Sequence, residues 1–298
     1  MDGFFLIDKL EGWTSRDVVT KIFHKFHTRK VGHTGTLDPF ATGLLIVSIG
    51  AGNKASHFLE GLDKEYIAEL KLGSSTSTGD KNGDVLDTKE VPNLSEKHIK
   101  EVLNSFLGKQ SQMPPKYSAV HVHGVKAYKL MYRGIEIKDS DIKPREIEIK
   151  NIEFISYESH ILKFKALVSK GTYIRVLGED IAKRLNTIGH LISLRRTKVG
   201  LFNVENAISI DEACEDTLVS ISDGLQHLPH IVVTGKNEYK AVHGANIDIN
   251  IAPNENRILL VNINNKAIAV YDKVDGRFVC TRGIYSEWKL LDLITEIK

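Results

Sequence analysis

Two long strand-forming stretches in the middle of the chain limit its fold more than any other feature of the sequence. They read REIEIKNIEFISYE and ILKFKALVSKG, at residues 145–158 and 161–171. Apolar side chains alternate with polar ones in the second stretch, at Leu162, Phe164, Ala166 and Val168. A period of two is typical of a strand with one buried face. These stretches therefore predict a sheet that packs one face against helices.

Shorter segments on the N-terminal side predict three more strands and two amphipathic helices. GFFLID, TGLLIVSIG and KEYIAELKLG predict strands, because apolar residues in each are bounded by turn or charged residues. One helix is predicted to begin at Thr14 or Ser15, whose hydroxyl can cap it. The other is predicted in SEKHIKEVLNSFLG, where Ser95 is the cap and Gly108 ends the helix.

The composition changes near Pro229, where short strand-like segments begin. They read HIVVTG, RILLVNINN, KAIAVYD and RFVCTRGI. Before them, we expect a mixed helical region that extends from the second long strand to about residue 225. We predict an α+β fold with a mixed, mostly antiparallel sheet flanked by helices in residues 1–228, and a small β-rich domain in residues 229–298.

Composition excludes several classes of protein. The net charge of the 298 residues is +2, so the total charge does not by itself imply a polyanionic partner. Cys214 and Cys280 stand alone, which argues against a disulfide framework or a structural zinc site and is typical of the reducing cytoplasm. No apolar run is long enough for a membrane span, and the N-terminus does not resemble a signal peptide. We therefore expect a soluble cytoplasmic protein.

The segment GHTGTLDPFATGLL, residues 32–45, is unusually rich in polar groups for a simple turn. Gly32 and Gly35 allow a close approach of the backbone to a ligand, and Pro39 restricts Asp38 to extended geometry. The Asp38 carboxylate would then lie at a stiff corner at the start of a strand. Local chemistry also allows a plain turn in which Asp38 caps its own backbone. It excludes a phosphate-binding loop, because no GxxxxGK[ST] or helix-opening GxGxxG is present.

This segment and four later ones together resemble the TruB family of pseudouridine synthases. The later segments, in the same order as in the family, are KEY at 64–66, PPKYSAVHVHGVKAYKLMYRG at 114–134, SKGTYIRVLGEDIAKRL at 169–185 and HLISLRRTKVGLFNVENAI at 190–208. The resemblance covers residues 3 to about 210. A departure is Ser77 in STSTGDKNGD, where the family often has an acidic residue. Residues 229–298 resemble the RNA-binding PUA domain less closely, through HGANIDI and the strand rhythm.

The resemblance implies a pseudouridine synthase fold and the isomerisation of uridine to pseudouridine in RNA, without a cofactor or metal. It places the nucleophile at Asp38 and a paired arginine at Arg175. We expect Arg175 to keep Asp38 ionised, because a guanidinium lowers the pKa of a carboxyl group that burial would raise. Tyr173 is two residues before Arg175, so on a strand both would share one face.

Four side chains are expected to line the pocket that holds the target nucleotide. Tyr173 is one of them. Tyr66 corresponds to the active-site tyrosine of the family, which can stack on the flipped uracil and take part in proton transfer. Leu194 corresponds to its apolar pocket residue. His33 is expected to stack near the space that the flipped base leaves. From local pattern alone, Tyr66 and Leu194 would be read as core residues and Arg175 as a surface arginine.

RNA affinity usually comes from contacts to phosphates, and three basic clusters are candidates. The expected RNA-binding residues are Lys21, Lys25, Arg29, Lys30, Lys64, Lys126, Lys129, Arg133, Arg195 and Arg196. The middle cluster belongs to an insertion at about residues 109–145, in which Tyr117, Tyr128 and Tyr132 are interspersed. Such a combination suits single-stranded loops, and we expect this insertion to become ordered on binding.

The resemblance to stand-alone bacterial enzymes implies uridine 55 in the T loop of tRNA as the substrate. It also implies that no guide RNA is needed and that the protein acts as a monomer. A rival hypothesis is an RNA-binding or RNA-chaperone protein that retains the fold without catalysis. Whether Asp38 would attack C1′ or C6 of the nucleotide, or assist a glycal route, stays open.

Overall fold

The computed structural model describes residues 1–247 and 255–285, which form two main sheets with seven α-helices. The strands are β1 (Gly3–Lys9), β2 (Val31–His33), β3 (Thr42–Ile49), β4 (Lys64–Leu72), β5 (Ser74–Thr76), β6 (Val85–Thr88), β7 (Gly108–Gln112), β8 (His121–Val122), β9 (Val125–Lys126), β10 (Arg145–Glu158), β11 (Ile161–Val168), β12 (Gly189–Val199), β13 (Phe202–Asn203), β14 (His230–Val232), β15 (Arg257–Val261), β16 (Ala267–Val274) and β17 (Arg277–Gly283). The helices are α1 (Ser15–Phe26), α2 (Gly52–Glu60), α3 (Glu96–Asn104), α4 (Ala127–Tyr132), α5 (Ile174–Arg184), α6 (Ile221–Gly224) and α7 (Gly235–Val242).

The larger sheet has nine strands and is antiparallel except at one place. Its order is β1-β3-β12-β4-β11-β10-β7, with β2 beside β3 and β13 beside β12. Only the pair β3–β12 is parallel within it. The predicted α+β class and the mostly antiparallel sheet are therefore confirmed.

Helices cover the sheet because their apolar residues share one side. In α1, Thr14 caps the first turn and Asp17 completes a reciprocal capping box. Val18 and Ile22 of this helix are fully buried in the main core. A second apolar cluster joins the opposite side of β3 to α2 and to the smaller sheet. The sheet thus lies between two apolar layers, and its loops at one edge carry the polar groups described below.

The expected mixed helical region is wrong in one respect, because it contains the central strand β12. This strand lies between β3 and β4 and carries the charged residues Arg195, Arg196 and Lys198. Its pairing with β4 is interrupted by irregularities between Leu191 and Ser193 and between Arg196 and Lys198. These bulges break the alternation, so a two-residue period was not visible in the sequence.

The smaller sheet contains the four strands expected after Pro229. Its order is β14-β15-β16-β17, with the first pair parallel and the others antiparallel. The domain boundary at 228/229 and the PUA-like character stay predictions. Residues 248–254 and 286–298 of that expected domain, including part of HGANIDI, lie outside the described residues. No helix in residues 1–247 or 255–285 is long and apolar enough to cross a membrane.

The insertion leaves the large sheet after β7 and returns to it at β10. Residues 109–112 belong to β7, which pairs with the start of β10, so the part outside the sheet is residues 113–144. We call residues 113–144 the insertion from here on. It contains the hairpin β8–β9, helix α4 and a small apolar cluster of its own. That cluster consists of Val122, Ala127, Ile137 and Ile142.

Candidate active site

Asp38 lies in the turn between β2 and β3, which we call the Asp38 turn and define as residues 34–41. Ser15, at the start of α1, fixes this turn through two hydrogen bonds to Leu37. Its hydroxyl donates to the Leu37 carbonyl at 3.1 Å and accepts from the Leu37 N–H at 2.8 Å. Both Ser15 and Leu37 are buried. The backbone next to Asp38 is therefore set by a helix and not by the turn alone.

A buried lysine also supports the turn. The Lys9 ammonium donates hydrogen bonds to the carbonyl oxygens of Trp13 at 2.6 Å, Leu10 at 3.0 Å and Pro39 at 3.5 Å. Burial lowers the pKa of Lys9 to about 8, although the nearby Asp38 carboxyl group opposes this shift. Lys9 therefore places a positive charge behind the Asp38 turn.

The C-terminal side of the turn packs directly against β12, and this contact requires a glycine. Gly43 pairs with Arg196 in the parallel ladder and has a φ of 100°. A Cβ atom at this position would lie 2.3 Å from the Arg196 carbonyl oxygen. Any larger residue would push β3 and β12 apart and displace the Asp38 turn.

The structure brings Asp38 and Arg175 together. Arg175 Nε lies 3.0 Å from Asp38 Oδ2, and Nη2 donates to Asp38 Oδ1 at 3.3 Å. This is a two-point contact, which a lysine cannot make. Arg175 is 4% exposed, whereas the Asp38 side chain is 35% exposed. The carboxylate is thus bound on one side and accessible on the other.

Three further groups fix the Arg175 guanidinium. Nη1 donates to the Thr78 carbonyl at 2.7 Å and lies 3.5 Å from Asp80 Oδ2. Nη2 donates to the Tyr117 carbonyl at 2.9 Å. Asp80 is buried and accepts hydrogen bonds from its own loop. These partners leave the guanidinium little freedom to move away from Asp38.

The prediction of a strand at Tyr173 and Arg175 is wrong. Tyr173 caps α5, and Arg175 lies in the first turn of that helix. Gln112 of β7 fixes Tyr173 by accepting from its N–H at 2.8 Å and donating to its carbonyl at 3.1 Å. Both side chains still reach the same cleft, because the helix begins at the cleft wall.

Burial is the largest influence on the Asp38 carboxyl group and raises its pKa. The Arg175 guanidinium lowers it, the nearby Asp80 carboxylate raises it, and the net direction is upward. The Arg175 guanidinium thus acts in the expected direction, against burial, and its role in keeping Asp38 ionised stays a prediction. A poorly hydrated carboxylate is a better nucleophile once it is ionised, because little water must be removed from it.

Asp38 opens into a cleft of about 680 Å³, a size typical of small-molecule sites and large enough for one nucleotide. The four expected pocket residues His33, Tyr66, Tyr173 and Leu194 all line it. Tyr66 is 8% exposed on β4, and Leu194 is 5% exposed on β12. The structure therefore places the expected substrate-binding side chains around the carboxylate, while their roles stay predictions.

The surroundings of His33 favour the neutral form of its ring. Its Nδ1 accepts the Gly35 N–H at 3.3 Å. Burial lowers the pKa of His33, and the charges of Arg196 and Lys126 lower it further. A neutral ring at the mouth of the cleft suits stacking on a base better than it suits acid catalysis.

Arg196 was expected to bind RNA phosphates from the surface, and this prediction is wrong because its side chain is buried. It is 2% exposed. Its Nε donates to the Leu44 carbonyl at 2.7 Å and its Nη2 to the Gly35 carbonyl at 3.1 Å. Arg196 therefore connects the start of the Asp38 turn, at Gly35, to Leu44 of β3, just beyond its end.

Other basic residues from the same expectation are already engaged within the protein. Arg195 makes a two-point contact with Asp8 at 2.7 and 3.0 Å. Lys64 is buried, donates to the carbonyls of Glu60 and Leu62, and has a pKa lowered to about 8, mainly by burial. Lys64 therefore supports the cleft wall from inside.

The basic face of α1 is partly neutralised by a distant loop. Lys21 Nζ lies 2.8 Å from Asp211 Oδ1, and Lys25 donates to carbonyls at residues 210 and 211. No acidic residue occurs from Thr20 to Val31, and the neutralising group comes from a later part of the chain. Arg29 and Lys30 are exposed.

Lys126, Lys129 and Arg133 lie exposed on β9 and around α4 of the insertion. Its tyrosines contact one another edge to face, with ring centroids 5.9 Å apart for Tyr117–Tyr132 and 6.3 Å for Tyr128–Tyr132. The insertion thus carries both the exposed cations and the aromatic rings that are expected of a surface for single-stranded RNA. The charge of Lys126 lowers the pKa of His33, which lines the cleft.

Sequence reasoning missed the groups that act through the backbone or from a distant segment. They are Lys9, Ser15, Thr78, Asp80 and Ser118. Asp80 lies in the same loop as the Ser77 departure, and a carboxylate directly after Gly79 was the available signal. No group of three or more potential metal ligands was found within residues 1–247 and 255–285.

The mixed, mostly antiparallel sheet that carries the Asp38–Arg175 cleft has the pseudouridine synthase fold. The chain superimposes on a chain of a Cbf5-Nop10-Gar1 complex with a TM-score of 0.71 and 22% identity, over 95% of this chain and 84% of that one. A chain of an H/ACA RNP bound to a substrate RNA gives a TM-score of 0.70 and 20% identity, over 95% and 85%. At these identities the likeness shows the fold.

Sequence comparison identifies the family. The model of the TruB family pseudouridylate synthase N-terminal domain matches residues 23–174. The tRNA pseudouridine synthase B of Hydrogenovibrio crunogenus is 39% identical over 252 residues, which cover 84% of this chain and 82% of that protein. The protein of the same name from Borreliella afzelii is 38% identical over 261 residues, covering 87% and 90%. The chain belongs to the TruB family of pseudouridylate synthases.

Proposed function

We propose that the protein isomerises uridine 55 in the T loop of tRNA to pseudouridine, with Asp38 as the nucleophile. The relatives named tRNA pseudouridine synthase B support tRNA as the substrate. The observation that carries the catalytic assignment is the Asp38 carboxylate, which is bound to Arg175 on one side and open to the cleft on the other.

The reaction requires one bond to break and another to form at the same sugar carbon. The C1′–N1 bond breaks, the uracil turns, and C1′ bonds to C5, after which the proton of C5 is lost and N1 is protonated. A carboxylate can stabilise positive charge at C1′ or bond to it, as in retaining glycoside hydrolysis. Attack on C6 and a glycal route also use this carboxylate. All three routes need Asp38 ionised.

The other side chains that line the cleft have roles that follow from their positions. Tyr66 and Leu194 enclose the uracil, and the Tyr66 hydroxyl is available for the C5 proton. Tyr173 forms the wall next to Arg175. The target nucleotide must leave its stack to reach the cleft, and neutral His33 stacks near the space that it leaves.

The insertion closes on the RNA from above the cleft. Its exposed cations Lys126, Lys129 and Arg133 bind phosphates, and its tyrosines stack on unpaired bases. On this proposal the enzyme works as a monomer in the cytoplasm and needs no guide RNA, because the insertion supplies the recognition that a guide would give.

Release of tritium from C5 of uridine in a T-arm stem-loop tests the function directly. We expect purified protein alone to release the label at one position, and Asp38→Asn to reduce the rate by roughly 10⁴-fold, as removal of a nucleophile does. The matched control is Asp180→Asn, which removes an exposed ion pair with Lys183 and should leave the rate unchanged. Release by Asp38→Asn within tenfold of the wild-type rate would contradict the assignment.

A further inference from the structure

Ser118 lies in the insertion and lines the cleft. It is 6% exposed. Within residues 1–247 and 255–285, Ser118 Oγ is the only buried side-chain nitrogen or oxygen without a hydrogen-bond partner. A buried hydroxyl without a partner costs free energy, so an unpartnered hydroxyl on a residue that lines the cleft calls for a functional explanation.

The backbone around Ser118 is tied to the Asp38–Arg175 pair. The Ser118 carbonyl accepts the Tyr128 N–H at 3.1 Å, which fixes the residue to α4. The carbonyl of the preceding Tyr117 accepts from Arg175 Nη2 at 2.9 Å, and the same nitrogen donates to Asp38 Oδ1 at 3.3 Å. Ser118 therefore follows Tyr117, whose carbonyl and the Asp38 carboxylate accept from the same nitrogen of Arg175.

Three buried charged donors of the cleft are already engaged by the protein, whereas Arg145 and Lys170, which also line it, are exposed. Arg175 donates to Thr78, Tyr117 and Asp38. Arg196 donates to the Gly35 and Leu44 carbonyls, and Lys64 donates to the Glu60 and Leu62 carbonyls. An uncharged nucleoside that enters the cleft brings several oxygen atoms that lose their water. The Ser118 hydroxyl is a donor that no protein group uses.

We propose that Ser118 Oγ donates a hydrogen bond to an oxygen of the flipped nucleoside, either a uracil carbonyl oxygen or the ribose 2′-hydroxyl. This proposal rests on the proposed function and deepens it by adding a substrate-binding residue. The hydroxyl gains its partner only when the nucleotide is in place, so the bond favours the flipped state over the stacked one. The insertion thereby contributes to the cleft itself as well as to RNA affinity.

Ser118→Ala separates this role from a structural one. We expect kcat/KM for a T-arm stem-loop to fall about 5- to 10-fold, the size of one neutral hydrogen bond. The melting temperature should stay the same or rise, because the variant loses no bond within the protein. The matched control is Ser222→Ala, a buried serine outside the cleft whose Oγ donates to the Asn265 carbonyl at 2.6 Å. That control should melt at a lower temperature and keep its kcat/KM.

Binding measurements without turnover identify the oxygen. The Kd of Asp38→Asn, with and without Ser118→Ala, is measured for stem-loops with uridine or 2′-deoxyuridine at the target position. An effect of Ser118→Ala on the uridine stem-loop alone assigns the 2′-hydroxyl, and an equal effect on both assigns a uracil carbonyl. The proposal is overturned if Kd and kcat/KM stay within twofold of the parent, or if Ser118→Ala melts earlier as Ser222→Ala does.

The two proposals fail in different ways. A wild-type protein that releases no label contradicts the proposed function, while the binding comparison still reports on Ser118. A wild-type protein that is active, with Ser118→Ala equally active and equally tight in binding, overturns only the Ser118 bond.

Discussion

The cleft and the insertion use charged side chains in opposite ways. Arg175 and Arg196 in the cleft, and Lys9 behind the Asp38 turn, are buried, and carbonyl or carboxylate oxygens satisfy them before any RNA arrives. In the insertion, Lys126 and Lys129 are exposed. The apolar cluster of the insertion has only four buried residues.

The difference shows how one chain combines precise chemistry with adaptable binding. Charges that must stabilise a transition state work best when they are fixed beforehand, because no reorganisation is then needed. Charges that bind a flexible polyanion work through number and proximity, and they tolerate small shifts. Substitutions in the cleft should therefore have steep effects on rate, and substitutions in the insertion graded effects on affinity.

The largest effect among the following tests is expected for Arg175→Lys. Lysine retains the charge but cannot contact Asp38, Asp80 and two carbonyls at once, so we expect kcat to fall roughly 10²-fold. Loss of the two-point contact also raises the pKa of Asp38 further. Because Asp38 must be ionised, the acidic side of the pH–rate profile should move to higher pH. A profile that keeps its position would show that Arg175 does not act through Asp38.

The same pKa shift predicts opposite pH effects on activity and stability in the wild type. Burial raises the pKa of Asp38 in the folded protein, so its contribution to stability is present at low pH and is lost as the pH rises through that pKa. Activity changes in the reverse direction. Asp38→Asn should remove this pH-dependent part of the melting temperature, which differential scanning calorimetry measures.

An intermediate effect is expected for the triple variant Lys126→Gln, Lys129→Gln and Arg133→Gln. It removes up to three phosphate contacts, so the slope of log K against log salt should decrease in magnitude by about 2. Affinity for the stem-loop should fall roughly tenfold at low salt, and kcat at saturating RNA should change little. The control is Lys97→Gln with Lys100→Gln on α3. An unchanged salt slope in the triple variant would contradict the clamping role of the insertion.

The smallest effect is expected for Ser15→Ala, which tests whether α1 fixes the Asp38 turn. The variant loses both bonds to Leu37, and we expect a loss of about 1–2 kcal/mol in stability. Activity should fall less than tenfold, because Lys9 and Arg196 still support the turn. Urea unfolding and the tritium assay measure the two quantities. A fall in activity as large as that of Arg175→Lys would mean that the cleft is less firmly built than its contacts indicate.

Residues that belong to a repeating pattern could be predicted from the sequence. The strands β10 and β11 and the capped helices α1 and α3 follow from alternation and capping residues, which are local signals. The Asp38–Arg175 pair was anticipated through the family motifs. The strand geometry assumed for Tyr173 and Arg175 was wrong, because the helix that starts there has no strong capping residue.

Contacts between distant segments that no family motif implied could not be predicted. Asp80 and Tyr117 both converge on Arg175, although neither lies near it in sequence. Asp211 forms an ion pair with Lys21, although the two residues are far apart in sequence. The unpartnered hydroxyl of Ser118 depends on the path of the insertion. Such features arise from tertiary packing, and a periodic pattern contains no information about them.

The bridge that Arg196 makes between Gly35 and Leu44 sets a fixed length for the segment in between. The two donating nitrogens belong to one rigid, planar group, so the two carbonyls must keep a constant separation. If a residue were added to or removed from residues 36–43, the separation of the two carbonyls would change. The buried Arg196 guanidinium would then lose at least one of these hydrogen bonds. We therefore expect this segment to tolerate substitutions but not changes of length, because Arg196 fixes the distance between the two ends of the segment that carries Asp38.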